Sequence, residues 1–359
     1  MKAATVQNVE FFTARSPHSR QISDATHKIS EISFIVCRIY CGEGLVGESY
    51  LLSFDFSPQA IRGALQDVAA LAARRNIFES GAFLAQCDSE FEYFGRNGLQ
   101  KWASALIEIA MWDAMGKHLG VCIPEMFGIH SQSVPVYGSG GWLSYSSEEL
   151  VDEAVGYARR GFRAVKIKVG SPDCACDLER LAKVREAVGS NVQIMMDANQ
   201  GLSVARALEL SRKAAPIDIT WFEEPIDNRD FDGYQTLRTA AGMSLAMGER
   251  EYDCVALREL CRRNALDLWQ PDILRIGGVR AWKESAAYAA VHGLPVLPHF
   301  YKEYDVPLLM TIPNAFASES FDWVDPLIDG GLTIEDGFAR PSGNPGWGFQ
   351  FKNDCLSEL

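Results

Sequence analysis

The sequence predicts an α/β protein: a closed (β/α)7β barrel preceded by an α+β capping domain. Three observations carry that expectation. From Val134 onward, short β-rich runs alternate with helix-like segments, the texture of βαβ units around a parallel sheet. All but the first of these runs close on an ionisable residue. Residues 1–125 read differently, with strand-like runs grouped ahead of helical ones, as in an α+β unit.

In chain order, residues 1–12 show no basic region followed by an apolar core, so no secretory leader is expected. Residues 31–52 are two β-rich runs around Cys41-Gly42-Glu43-Gly44, the pattern of a hairpin. Residues 57–75 are Ala/Leu-rich, with Ser57 at a cap position and Pro58 in the first turn, which reads as a helix. Residues 101–120 form a second helix with Gly120 as its stop signal. Trp102, Leu106, Ile109, Ala110 and residues 112–115 make it mostly apolar, so it should be deeply packed.

Beyond Pro124 the strand-like runs begin at Val134, Ala164, Val192, Ile219, Ser244, Leu266, Pro295 and Ala315. Helix-like segments lie between them, at 147–160, 177–188 and 203–214 among others. Eight such runs imply a TIM-like closed barrel, and the doubly wound alternative lacks its G-x-G-x-x-G turn. The expected domains are a cap over 1–125 and a barrel over 126–328. The Gly/Pro-rich segment 329–359 should pack back on the cap and complete it.

At 359 residues the chain is long enough for two domains or a large barrel with an appendage. Its 47% hydrophobic and 23% charged residues exclude disorder as a description of the whole. Against 34 basic residues stand 47 acidic ones, a net charge of −13. That sign opposes nucleic acid and anionic membrane surfaces as partners, but not a small anion beside a bound cation. No apolar run approaches the ~20 residues of a membrane span. The nine cysteines are odd in number and lack C-x-x-C spacing; Cys174 and Cys176 alone form C-x-C. Free thiols in a reducing, cytoplasmic setting are the expectation.

From the second run onward the closing residues are Lys168, Asp197, Glu223, Glu249, Asp272, His299 and Glu319. Successive members lie 29, 26, 26, 23, 27 and 20 residues apart, about one βα unit each. In a barrel those ends share the face that carries active sites. Loops are wet and strand ends are often polar, but that explains one or two such residues, not an unbroken series. Asp197, Glu223 and Glu249 are consecutive acids that would repel one another unless a cation joined them. An all-oxygen set suits Mg²⁺, whereas zinc would want His or Cys. Glu224 should point away by strand alternation. Lys166 and Lys168 alternate onto one face of their strand, where two ammonium groups would depress each other's pKa and make a neutral base available. Asp272 can bond the His299 ring and fix its tautomer. The other histidines, His18, His27, His118, His130 and His292, read as solvent-facing.

These residues in this order resemble the enolase superfamily, and within it the mandelate racemase subgroup. The motifs are Lys166-Ile-Lys168, Asp197-Ala-Asn199, Phe222-Glu223-Glu224-Pro225, Gly248-Glu249, Gln270-Pro-Asp272 with Arg275-x-Gly277-Gly278, His299-Phe-Tyr-Lys-Glu303 and Glu319; Ile109-Ala-Met-Trp-Asp113 resembles that family's capping helix. The resemblance implies one Mg²⁺ per subunit on Asp197, Glu223 and Glu249. It implies Lys168 and the His299–Asp272 pair as acid/base groups, Lys166 neutralising the substrate carboxylate, and Glu319 bonding its other oxygen. Asn199, Ser139 and Trp142 would contact substrate; Tyr137-Gly-Ser139-Gly-Gly-Trp142 looks like the sugar-acid dehydratases of the subgroup. Arg250 departs from the pattern, where a smaller or neutral residue is expected.

The implied reaction is α-proton abstraction to an ene-diolate, a chemistry the superfamily is known for. Loss of a β-hydroxyl then gives a 2-keto-3-deoxy acid from an aldonate or aldarate. Racemisation or epimerisation of a 2-hydroxy acid is the alternative, and an inactive sugar-acid-binding homologue a second one. The polar, cationic segment 14–21 should close over the mouth, with Arg15 and Arg20 taking hydroxyls or a distal carboxylate. The expected partner is a small-molecule carboxylate, in a homo-oligomer.

Overall fold

The computed structural model describes residues 4–18 and 20–359. Residues 1–3 of the leader reading, and Ser19 of the 14–21 segment, lie outside the described residues. The cap is an antiparallel sheet of β1 (Val6–Arg15), β2 (Ser33–Cys41) and β3 (Val46–Leu52), backed by α1 (Pro58–Ala72), α2 (Ser80–Glu90) and α3 (Leu99–Leu119). The 31–52 hairpin forms as the sequence predicts, with Glu43 and Gly44 taking the left-handed turn positions. Gly120, also left-handed, stops α3 by donating to the carbonyls of Gly116 and Lys117.

Ser57 does sit at the N-cap position of α1, but it does not cap it. Its φ is +48° and its side chain makes no cap bond. Phe54, Asp55 and Ser57 are all left-handed, because the chain turns sharply there into the mouth of the barrel. Two elements had no clean sequence signal. β1 mixes apolar and polar residues on both faces, and it is paired with β2 on one edge and with Leu356–Glu358 on the other. α2 anchors itself with little more than Phe83 and Cys87.

The barrel strands are β4 (Val134–Gly140), β5 (Ala164–Lys168), β6 (Gln193–Asp197), β7 (Ile219–Glu223), β8 (Ser244–Met247) and β9 (Leu268–Trp269), paired in parallel in chain order. The eighth strand, β10 (Ser318–Ser320), pairs in parallel with β4. The seventh position is occupied without a regular strand: Val296 bridges Trp269 on one side and Ala315 on the other. Pro295 and Pro298 explain this, because neither has an N–H to give a ladder. The eighth strand begins at Ser318 rather than Ala315, leaving Ala315 to make that bridge. Tyr137, Met195, Trp221, Ala246, Leu268, Leu297 and Ala317 pack together as one buried cluster. These are inward-facing positions of seven of the eight strand sites, with Ala164 of β5 packed against them, so the barrel is solid below its mouth.

The C-terminal segment divides its pairing. Leu356–Glu358 adds an edge strand to the cap against β1. The hairpin of Leu332–Glu335 and Phe338–Pro341 instead joins β4 of the barrel. Two buried acids of α3 lock these parts together. The Asp113 carboxylate accepts from the backbone N–H of Glu48 at 2.8 Å and of Trp347 at 2.9 Å. Glu108 accepts from Trp112 Nε1 and from the N–H of Val279, which opens the barrel helix Val279–Val291. Among the described residues, no helix is long and apolar enough to cross a membrane.

Asp113→Ala should strand two buried N–H groups, each costing ~1–3 kcal/mol. The expected loss is about 2–5 kcal/mol, read as a lower urea midpoint together with earlier proteolytic release of the C-terminal segment. An unchanged midpoint would show that the tail is held by its apolar contacts alone.

Candidate active site

Each barrel strand is short, and the chain bends sharply just past its last residue. Asn199 (φ +41°) and Gln200 (+67°) follow Asp197, Glu224 (+35°) follows Glu223, and Phe300 (+69°) follows His299. Gly248, at φ +139°, comes just before Glu249, and a Cβ there would meet the Trp269 ring at 2.7 Å. Left-handed non-glycine residues store strain and cluster where side chains must be aimed. Here they turn the chain away while the functional side chains stay at the barrel mouth.

That mouth and the cap enclose a cavity of about 380 Å³. Lys168, Asn199, Glu249, Asp272, His299, Glu319 and Trp142 line it. Beneath its floor lie Asp197, Glu223 and Lys166, each 1% exposed or less. Lys168 Nζ meets Asp197 Oδ2 at 2.5 Å, since the two residues are paired in register on β5 and β6. Lys166 is bonded to Glu223, 2.7 Å from Glu319 Oε1 and 3.5 Å from Asp197. Gln270 Nε2 donates to Glu223 at 2.7 Å, and the Phe300 N–H donates to Glu319 Oε2 at 2.9 Å. His299 Nδ1 is 2.9 Å from Asp272 Oδ2, and Nε2 is 3.4 Å from Glu249. Asp272 Oδ1 accepts from the N–H groups of Leu274 and Arg275, which holds the carboxylate, and through it the ring, in place.

The electrostatics correct one expectation. Lys166 does oppose the charge on Lys168, but that repulsion does not prevail. Burial alone would lower both, but the carboxylates around them outweigh it and both are raised, Lys166 by Glu223 and Glu319, Lys168 by Asp197. Lys166 also fails to reach the cavity. Asp197, Glu223 and Glu319 compete for its ammonium group, and it is drawn down onto Glu223 and Glu319. Burial likewise pushes Glu223 up, helped by Asp197, Glu319 and Glu249 and opposed by Lys166. Glu319 is held down at about 2, because Lys166, His299 and Lys168 outweigh its burial.

The substrate contacts placed on the 14–21 segment are corrected as well. Arg15 ends β1 and pairs with Glu31 at 2.7 Å, its side chain 68% exposed. Arg20 pairs with Glu149 on the barrel helix Ser147–Arg159 and lies over the Tyr145 ring. Neither lines the cavity. Ser139 lies behind it as well, facing a second hollow shared with Arg20. Trp142 stands between the two hollows, stacked with Phe321 and Trp323. Glu224 turns away from Lys166 and accepts from Gln200 and Arg250. Arg250 is thus a lining residue that also meets Glu249 at 3.4 Å.

His27, read from sequence as solvent-facing, lines the cavity with Asp24. The signal that could have found it is an Asx turn: Asp24 Oδ1 accepts from the N–H of both Thr26 and His27 at 2.7 Å. The aromatic lining of Phe54, Phe56, Trp102, Phe321 and Trp323, and Arg275, also went unread.

Among the described residues, no three His, Cys, Asp or Glu side chains converge as a ready-made ion cage, because lysines sit among the acids. The chemistry of the set nevertheless fits Mg²⁺. Asp197, Glu223, Glu249 and Glu319 outnumber the two lysines they face, Lys166 and Lys168. The neighbouring pairs Arg250–Glu224 and Arg275–Asp272 balance themselves. A hard divalent cation with oxygen ligands matches both that deficit and those donors.

Residues 6–128 match the family model of the mandelate racemase / muconate lactonizing enzyme N-terminal domain, and residues 149–355 that of the enolase C-terminal domain-like fold. The chain belongs to the mandelate racemase / muconate lactonizing enzyme family. It is 30% identical over 351 residues to the L-talarate/galactarate dehydratase of Salmonella typhimurium (strain LT2), covering 96% of this chain and 88% of that one. It is 30% identical over 277 residues to the arabinonate dehydratase of Saccharolobus solfataricus, covering 74% of each. The crystal structure of the Salmonella dehydratase liganded with Mg and L-lyxarohydroxamate superposes with a TM-score of 0.93 at 28% identity, over 99% of this chain and 94% of that one.

Exposed ion pairs contribute little, and Arg15 and Arg20 are engaged in such pairs outside the cavity. Arg15→Ala and Arg20→Ala should therefore leave calorimetric affinity for carboxylate ligands within about twofold of the parent. A tenfold loss in either would place that guanidinium at the ligand.

Proposed function

We propose that the protein is a Mg²⁺-dependent dehydratase that converts a sugar acid, an aldonate or aldarate, to a 2-keto-3-deoxy acid. The observation that carries this reading is that Lys168 and the His299–Asp272 pair reach one cavity from different strands. The similarity to named sugar-acid dehydratases supports it. Asp197, Glu223 and Glu249 would hold the cation. When bound, Mg²⁺ would stabilise negative charge developing on the substrate carboxylate.

The residues of the chain do the rest. A proton α to a carboxylate is very weakly acidic, so its removal needs a base fixed in position. One of Lys168 and His299 breaks the α C–H bond and keeps the proton. The other protonates the β-hydroxyl as its C–O bond breaks, and water leaves. The resulting enol tautomerises to the 2-keto acid. Asp272 keeps Nδ1 of His299 bonded, so Nε2 is the nitrogen that faces the chemistry. Lys166 acts from below by holding Glu223 and Glu319 in place. Glu319, fixed by the Phe300 N–H, lies at the carboxylate end.

The test is 2-keto acid release from a panel of mono- and diacid sugars with Mg²⁺, beside α-proton exchange in D₂O. Chelator should abolish turnover and Mg²⁺ restore it. His299→Asn should lower dehydration by ~10²–10⁴-fold, the usual worth of a general acid or base. Near-normal turnover by that variant, or by metal-free protein, would overturn the assignment. Racemisation of mandelate without keto acid from any sugar acid would move the protein to the isomerases of the family.

A further inference from the structure

We infer that the acid this site accepts ends, at the pole away from its reacting carboxylate, in an uncharged and deoxygenated carbon rather than a second carboxylate. The inference rests on the dehydratase reading above and specifies its substrate. The barrel supplies the reacting end, so the cap meets the far end. The cap wall is hydrocarbon: Leu52, Phe54, Phe56, Ile61, Leu99 and Trp102 line the cavity. Phe56 is 47% exposed there and continues this apolar wall to the open mouth of the cavity.

The polar groups of the cap offer an anion no free cation. Among the described residues, no Lys or Arg of the cap lines the cavity. Ser53 Oγ is engaged with Ser33. Asp24 is itself an acid, and its His27 partner bonds back to it. The guanidinium groups that do line the cavity come from the barrel, and each already meets an acid. Arg250 stands 3.2 Å from Glu224 and 3.4 Å from Glu249, and Arg275 3.5 Å from Asp272 while donating to the Glu249 carbonyl. A second carboxylate reaching the cap would lose its water against hydrocarbon and gain no free cation. Hydroxyls nearer the barrel fare better. Asn199 Oδ1 is buried at the cavity with no hydrogen-bond partner in the protein, an acceptor suited to a substrate hydroxyl.

The test compares three acids of matched configuration in the same assay: an aldarate, the corresponding aldonate, and its terminal-deoxy form, run across the C4 and C5 epimers. With Mg²⁺ present, kcat/KM should be highest for the deoxy acid, by about 10-fold or more over the aldonate, and lowest for the aldarate. Phe54→Ser and Leu99→Ser should each shrink the deoxy-to-aldonate ratio. An aldarate optimum would overturn the inference and assign the far end to Arg250 and Arg275. So would a deoxy-to-aldonate ratio within twofold. If none of the acids gives keto acid or exchanges its α-proton, the dehydratase reading itself fails. Calorimetric affinities of the same three acids then decide the inference, which tighter binding of the aldarate would overturn.

Discussion

Asp197, Glu223, Glu249 and Glu319 are each 3% exposed or less, and keeping four carboxylates side by side away from water is what the surrounding structure is arranged to do. Buried charge is tolerable only when it is paired and hydrogen-bonded. Hence two lysines stand on one face of β5, an amide from Gln270 and a backbone N–H from Phe300 point inward, and Arg250 bridges outward to Glu224. Even so, these four acids face only two lysines. A bound divalent cation would relieve that excess of negative charge.

Rigidity below the mouth makes that arrangement possible. Aromatic and aliphatic side chains fill the barrel floor, so the strand ends cannot drift together or apart to relieve repulsion. The cost appears as left-handed backbone at Asn199, Gln200, Glu224 and Phe300, which the packed strands on either side hold in place. The cap is tied to this rigid body by Glu108, and the tail to the cap by Asp113. The cap wall over the cavity is thus positioned by buried hydrogen bonds from α3, not by loop contacts alone.

The barrel side of the cavity was legible in the sequence and the cap side was not. A barrel brings chain positions about one βα unit apart to a common face, so a series such as Asp197, Glu223 and Glu249 can be read by counting. The cap follows no such period. Phe54 and Phe56 sit in an irregular turn, Trp102 lies on a helix apolar nearly all round, and His27 is aimed by an Asx turn among polar residues. In sequence, Arg15 and Arg20 looked better suited to substrate than any of these. They were claimed instead by Glu31 and Glu149, acids whose proximity only the folded chain creates.

Strand and helix order, the hairpin at 31–52, the stop of α3 at Gly120 and the run of ionisable strand ends follow from local patterning, because each depends on residues near in sequence or on a repeated interval. Tertiary structure alone decided the rest. It set Val296 as the one bridging residue of the seventh position, between Trp269 and Ala315, which lie 27 and 19 residues away along the chain. It split the C-terminal segment between cap and barrel. It also turned Lys166 from a group facing substrate into one clamped beneath the floor, because the charge on an ammonium group goes to the carboxylates nearest in space, and those lie 31, 57 and 153 residues away along the chain.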